Sequence, residues 1–485
     1  MIAVVGALAQ SACAVGPNYR PPVLSSAAGY GVDATSAGHG VGAPQFVAGV
    51  DVSAEWWQVF HCQDLDALLA KALANSPTVS AAKSALKAAR EQVKAQRGAY
   101  FPTVSASLQP SRQRFAQTLS SPLQNGSELY SLTTTQVSVA YTPDLLGANA
   151  RAVESLVAQA DQQRFELEAA RLTLATNVVQ AAIQDALLRA EIAATQGIIT
   201  DQKQTLASFQ RQYQVGQVSK ADLAAQEALL AQAQATLPPL QKQFQINRDL
   251  LAALVGRTPG EPLEVRFDLD ALSPPDRLPL SLPAELVRHR PDVRIAEAEL
   301  HAASAQIGVA AAARWPSLQI DAGAGSAALG LTPAFNSAAN FWSVAATLTQ
   351  PVFDAGTLRH RERSAKALYD QAAAQYRAAV VGAFQNTADA LHALSSDAEA
   401  EQSAEAAEAA ASKSLDIAKR QYALGDLNRL AVLNAEQTYA QTRITALQAR
   451  AGRYGDVTAL FQALGGGWWN GDAIVAASRP RPSAP

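Results

Sequence analysis

A chain of 485 residues and 50.9 kDa carries a formal net charge of -3 and a pI near 6.1. Without a basic stripe, nucleic acid is excluded as a partner; two cysteines, Cys13 and Cys62, are too few for a disulfide framework or a cysteine-rich metal site. No apolar run of about eighteen residues follows the N-terminus, which excludes a transmembrane helix but not a transmembrane barrel.

Residues 1–12 read as the remnant of a signal peptide. IAVVGALA (2–9) has the character of a short apolar h-region, and small residues Ser11 and Ala12 precede Cys13 as they would before a lipid-modified cysteine. Residues 13–61 read as an extended N-terminal segment, rich in Gly, Ala, Ser and Pro up to residue 50. WWQVFHCQDLDALLAKAL (56–73) then begins a short helix, with Cys62 as a small packed residue rather than a reactive thiol. Ser76 and Pro77 form an N-cap and first-turn pair for the next helix, which runs to about Gly98. Arg290 and Pro291 stand at the equivalent place in a second copy, Pro291 lying 214 positions after Pro77. The same offset separates Pro102 and Pro316, the prolines that close these two helices.

After those prolines the hydrophobic period changes to two. Val104, Ala106 and Leu108 alternate with Ser105, Ser107 and Gln109, and Val137, Val139 and Tyr141 with Gln136, Ser138 and Ala140. In the second copy Leu318 and Ile320 alternate with Ser317, Gln319 and Asp321, and Trp342, Val344, Ala346 and Leu348 with Ser343, Ala345, Thr347 and Thr349. Gly147 and Gly356 are 209 apart, so the first copy carries five extra residues between its strands, which places that loop in solvent. Four strands do not close a transmembrane barrel, since the small ones need about eight, and open edges do not sit in lipid. The chain must therefore oligomerise to close the sheet. Two copies would supply eight strands and three would supply twelve; the residues themselves leave both open.

No proline occurs from Gly147 to Gln214 or from Gly356 to Ala423, and each stretch is long enough for a helix of roughly 100 Å. Ala, Gln, Leu and Val are mixed there with modest charge, without the stripe of a globular core, as suits helices flanked by neighbours on both sides. Each ends in a related stretch, RQYQVGQVSKADLAAQEALL (211–230) and RQYALGDLNRLAVLNAEQTY (420–439). Arg211/Arg420, Gln212/Gln421, Tyr213/Tyr422, Gly216/Gly425, Glu227/Glu436 and Gln232/Gln441 are identical at that offset, an internal duplication. Gly216 and Gly425 suit a left-handed helix stop, and Ser219 and Asn428 suit the N-cap of the next helix, with Asp222 at the capping-box position.

The resulting plan has a first structural repeat over 62–256, with strands at about 102–115 and 130–143, a long helix at about 147–214, a tip at 215–219 and a return helix at 219–256. A proline-rich connecting segment occupies 257–283. The second repeat covers 284–465, with strands at about 316–328 and 341–353, a long helix at about 356–423, a tip at 424–428 and a return helix at 428–465. Residues 466–485 are a C-terminal tail.

CAVGPNYRPP (13–22), WWQVF (56–60), RPDVRIAEAEL (290–300), IGVAAAARWPSLQI (307–320), QPVFDAG (350–356) and ALGGGWW (463–469), in that order, carry a resemblance to the outer membrane efflux protein family, the TolC-like channels. Within it the chain resembles the lipoprotein branch that serves resistance-nodulation-division pumps. The resemblance covers nearly the whole chain. It implies an α+β membrane protein: a homotrimer with a twelve-stranded β-barrel, four strands per protomer, continuous with a long periplasmic α-helical barrel. It further implies residence in the outer membrane of a Gram-negative bacterium, a lipid anchor at Cys13, and export of small molecules. The implied partners are a periplasmic adaptor, an inner membrane transporter and outer membrane lipid.

In such channels the tips form the periplasmic entrance and receive the adaptor's hairpins. Val215-Gly216 matches the valine-glycine turn, and Leu424-Gly425 is a variant of it. An aspartate beside the first tip, bonded to a tyrosine beside the second, holds the family's closed state; Asp222 and Tyr422 occupy those positions. The assisting arginine aligns with Leu427, which leaves Arg429 as a substitute, and the pore-lining aspartate rings align with Ala431 and Asn434. An anionic constriction is therefore not expected, although three Asn434 amides would narrow a pore by size and hydrogen bonding.

No catalytic pattern emerges. GAGSAALG (323–330) falls in a strand and its hairpin rather than a phosphate cradle, and His39, His61, His289, His301, His360 and His392 are scattered without metal-ligand spacing. Neither enzyme activity, nor a cofactor, nor a metal is expected. The other readings are an outlet for type I protein secretion and a coiled-coil scaffold without a transport role.

Overall fold

The computed structural model describes residues 14–22, 45–48, 51–114, 116, 129–261, 263–275, 277–280, 288–329 and 337–470. Cys13, the signal-like start, most of the first hairpin loop and the end of the C-terminal tail lie outside these residues. In chain order the elements are β1 (Gln45–Ala48), α1 (Gln63–Asn75), α2 (Pro77–Arg97), β2 (Thr103–Arg114), β3 (Leu129–Tyr141), α3 (Ala148–Gln214) and α4 (Lys220–Leu254). They continue with β4 (Arg277–Leu280), α5 (Pro291–Ala312), β5 (Ser317–Ala328), β6 (Asn340–Thr349), α6 (Thr357–Leu424) and α7 (Arg429–Ala463). Within 13–61, which reads as extended, β1 is a strand and Trp56–Phe60 a short 3-10 turn. Cys62 caps α1 and is half-buried. No described helix is long and apolar enough to cross a membrane.

The chain divides into two compact units. The first contains residues 1–22, 85–163 and 296–376. At its heart is an antiparallel sheet in the order β2-β3-β5-β6. The register sets Val104 opposite Val139, Val137 opposite Ala324, and Ala324 opposite Trp342, so one face collects the apolar residues. That face is bare: Trp342 is 78% exposed and Val104 68%. The opposite face is small and polar, with Ser105 and Ser138 hydroxyls 2.8 Å apart. Gly325 also belongs to it, and a side chain there would run into the Thr135 carbonyl of β3, so the close approach of the strands requires glycine. The outer edges of β2 and β6 pair with nothing among the described residues. At the other side of this unit, residues 14–22 are pinned by Arg151, whose Nη2 donates to Asn18 Oδ1 at 2.7 Å, and Tyr19 stacks on His301.

The second unit contains residues 23–84, 164–295 and 377–485. Its core gathers Trp56, Phe60, Leu69, Leu251 and Phe461, with Trp56 stacked on Phe461 at 5.3 Å. Here the RPDVR and GGGWW stretches meet. Arg290 donates to the Ala463 carbonyl at 2.9 Å, capping the end of α7, while Asp292 holds the guanidinium at 2.6 Å. Trp468 donates to the His289 carbonyl at 2.7 Å. β1 pairs in parallel with β4. Arg248 on α4 donates to the Val265 and Leu263 carbonyls, tying the connecting segment to the helices.

Candidate functional site

The site built by the paired stretches lies in the second unit, where α3 gives way to α4 and α6 to α7. Both long helices stop in the same way. Gly216 has φ 76° and Gly425 φ 85°, and each N–H bonds back to a tyrosine carbonyl, Tyr213 and Tyr422, at 3.0 Å. The next N–H reaches one residue further back, from Gln217 to Gln212 and from Asp426 to Gln421, which completes a Schellman motif at each tip. A Cβ at either glycine would meet nothing within 4 Å, so positive φ, not space, selects glycine here. The adjoining Val215 and Leu424 are both exposed.

Each return helix starts at a side-chain cap. Ser219 and Asp222 form a reciprocal capping box: Asp222 N–H donates to Ser219 Oγ at 3.1 Å, and Ser219 N–H donates to Asp222 Oδ2 at 3.2 Å. The Ser219 hydroxyl adds a bond to the same Oδ2 at 2.7 Å. Asn428 caps α7 by accepting from the Ala431 N–H at 3.0 Å. The sequence-identified residues thus sort into two groups. Asp222 serves its own helix, and no hydrogen bond joins it to Tyr422 among the described residues. Arg429 and Tyr422 do come together: the guanidinium lies over the tyrosine ring, 5.0 Å from its centroid.

Phe209, which sequence reasoning did not single out, also meets the cation, its ring centroid 5.2 Å from the guanidinium carbon. Phe209 is buried, and Arg429 Nε has no hydrogen-bond partner among the described residues, so the cation's close contacts here are two aromatic rings. The contact joins α3, α6 and α7. The available signal was compositional, since Phe209 is the one aromatic of α3 between Phe165 and Tyr213. Of the two constriction candidates, Ala431 is half-buried and Asn434 exposed in the first turns of α7. No cluster of three or more metal-ligating side chains exists among the described residues. The arrangement offers two tight helix-to-helix turns with exposed apolar corners.

The profile of the outer membrane efflux protein family matches residues 68–257 and 282–466. The chain is 29% identical over 490 residues to outer membrane protein OprJ of Pseudomonas aeruginosa, which covers 98% of this chain and 97% of that protein. It is 28% identical over 424 residues to the probable efflux pump outer membrane protein TtgC of Pseudomonas putida, 85% of each. The solved structure of the outer-membrane channel OprN superposes with a TM-score of 0.85 at 26% identity, covering 94% of this chain and all of that one.

Proposed function

The chain belongs to the outer membrane efflux protein family and is an outer membrane efflux channel; from that premise we propose that three copies assemble into one conduit. The observation that carries this reading is the open sheet. Its apolar face is bare and both of its edges are unpaired within the chain. In hydrocarbon each unpaired backbone group costs several kcal/mol, so β2 of one copy must pair with β6 of the next until the ring closes. The family resemblance favours three copies and twelve strands over two copies and eight. The apolar face then meets lipid, and the small polar face lines the passage.

The repeated long helices, two prolonged hairpins per chain, form the periplasmic part of the conduit. Val215, Gly216, Leu424 and Gly425 are the contact points for a periplasmic adaptor, which links the channel to an inner membrane transporter of the resistance-nodulation-division type. Asp222, Tyr422 and Arg429 keep the entrance shut, and Cys13 carries the lipid anchor. The exported cargo is small molecules. Efflux, and not protein secretion, is favoured by the name of the relative TtgC as an efflux pump component.

The deciding experiment is the native mass of detergent-extracted protein, measured with the detergent contribution subtracted. Three chains per particle are expected. A monomer or dimer, or a protein that stays in solution without detergent, overturns the reading.

A further inference from the structure

A cavity of about 170 Å³ lies between α3, α4 and α7 in the second unit. Its wall is divided by chemistry. Ile198, Leu229 and Ile444 supply an apolar side, Gln232 and Gln441 supply amides, and Glu436 is the one ionisable group in the lining. Glu436 is 9% exposed, and its Oε2 has no hydrogen-bond partner among the described residues. Its Oε1 lies 3.5 Å from Lys419 Nζ, longer than the 2.7–2.9 Å of a well-formed charge-assisted bond.

The carboxylate is short of compensation on every side. From α6 comes Lys419, half-exposed; from α7 comes Arg429, whose guanidinium also lies over two aromatic rings; from α3 comes Asp201, which repels. α4 lines the cavity with uncharged side chains only, Gln232 and Thr236 among them. Burial dominates, and the Glu436 carboxyl is held above its ordinary range despite both cations. Helix periodicity does not require this burial, because Glu227, the same residue type one offset earlier, stands exposed in solvent. A buried carboxylate with a free oxygen beside an empty apolar wall is costly unless something cationic meets it.

We propose that this cavity binds a small organic cation, its ammonium group on Glu436 and its apolar body against Ile198, Leu229 and Ile444. An ammonium has three donors, enough for Oε2 and the neighbouring glutamine carbonyls. An apolar cavity of about 150 Å³ admits benzene, so the body is of single-ring size. Binding uses the ionised carboxylate and weakens as the pH is lowered through its titration. The site depends on helices of one unit of one chain, so its failure in a test would leave the closure of the barrel untouched.

The test is calorimetric titration of benzylamine into the full-length detergent-solubilised protein, with benzyl alcohol as the neutral counterpart in the same micelles. Saturable one-site binding of benzylamine is expected, with no saturable heat from benzyl alcohol. Glu436→Gln should weaken it about tenfold or more, the scale of one charged hydrogen bond. Ala233→Leu, which fills the cavity and leaves the carboxylate in place, should do the same; it carries the test alone if Glu436→Gln does not assemble. Absence of saturable benzylamine binding, undiminished binding in either variant, or equal binding of benzyl alcohol overturns the proposal.

Discussion

Arg429 sets its charge against two aromatic rings and bonds no carboxylate among the described residues, and that choice distinguishes this tip from one held by a bonded ion pair. The contact is little screened by salt because Phe209 is buried, and a desolvated cation–π contact is worth up to about 2 kcal/mol. Phe209→Leu keeps the apolar volume but removes the π-face. Single-channel recording in planar bilayers should show higher basal conductance, with the open population raised by up to about thirtyfold. Unchanged conductance would place the closing contact elsewhere. Asp222 demands a different control, because its carboxylate is already engaged by Ser219. Asp222→Ala with Tyr422→Phe should also raise basal conductance with the assembly intact. Ser219→Ala loses the cap, about 1 kcal/mol, while the carboxylate remains; if it opens the channel as much, helix capping and not a bond to Tyr422 is the cause. What could be read from the sequence at this scale was set by neighbours three or four residues away: the glycine stops and the caps. The Phe209 contact was not legible, because it exists only once α3 and α7 lie side by side.

Elements obey the same division. The alternation around Val104, Val137 and Trp342 is a period any strand must show when its two faces differ, and it sits in β2, β3 and β6. Which strand lies beside which is not in that period; β3 pairs with β5 across the whole of α3 and α4, a contact that no local pattern encodes. The pairing of α6 with α7 hides another such feature. Asp397 stands beside Asp456, and burial together with that neighbour raises Asp456 from 3.8 to about 7. Asp456 Oδ2 has no hydrogen-bond partner among the described residues, and Arg453 is engaged by Glu401 instead. The folded state therefore holds a proton that the unfolded chain has released over the interval between those values. Stability contributed by the protonated pair is fully present below 3.8 and is lost as pH rises through about 7. Thermal melting followed by circular dichroism should fall in midpoint across that window, and Asp456→Asn should flatten the fall. A variant with the same slope as the parent would show that another group titrates there.

At the scale of the whole molecule the decisive property is what the proposed ring of copies presents to its own axis. The two faces of the sheet were legible as alternating small and apolar residues, and so was the need for other copies, since four strands cannot close alone; their number was not, because it depends on contacts between chains. The tip makes the same point through charge. Where the family resemblance aligns rings of aspartate, this chain has Ala431 and Asn434, and the exposed Asn434 stands at the start of α7 without a charged neighbour bonded to it. In the proposed trimer three amides offer dipoles but no net charge, whereas three carboxylates at a narrow entrance would attract cations strongly, since their interaction is little screened over distances below about 8 Å. Reversal potentials measured across a KCl gradient should therefore show weak cation preference in the parent channel. Asn434→Asp should shift the reversal potential toward the cation limit, and the shift should shrink as salt is raised. If the parent is already strongly cation-selective, the selecting charges lie away from α7; if Asn434→Asp changes nothing, residue 434 does not face the passage.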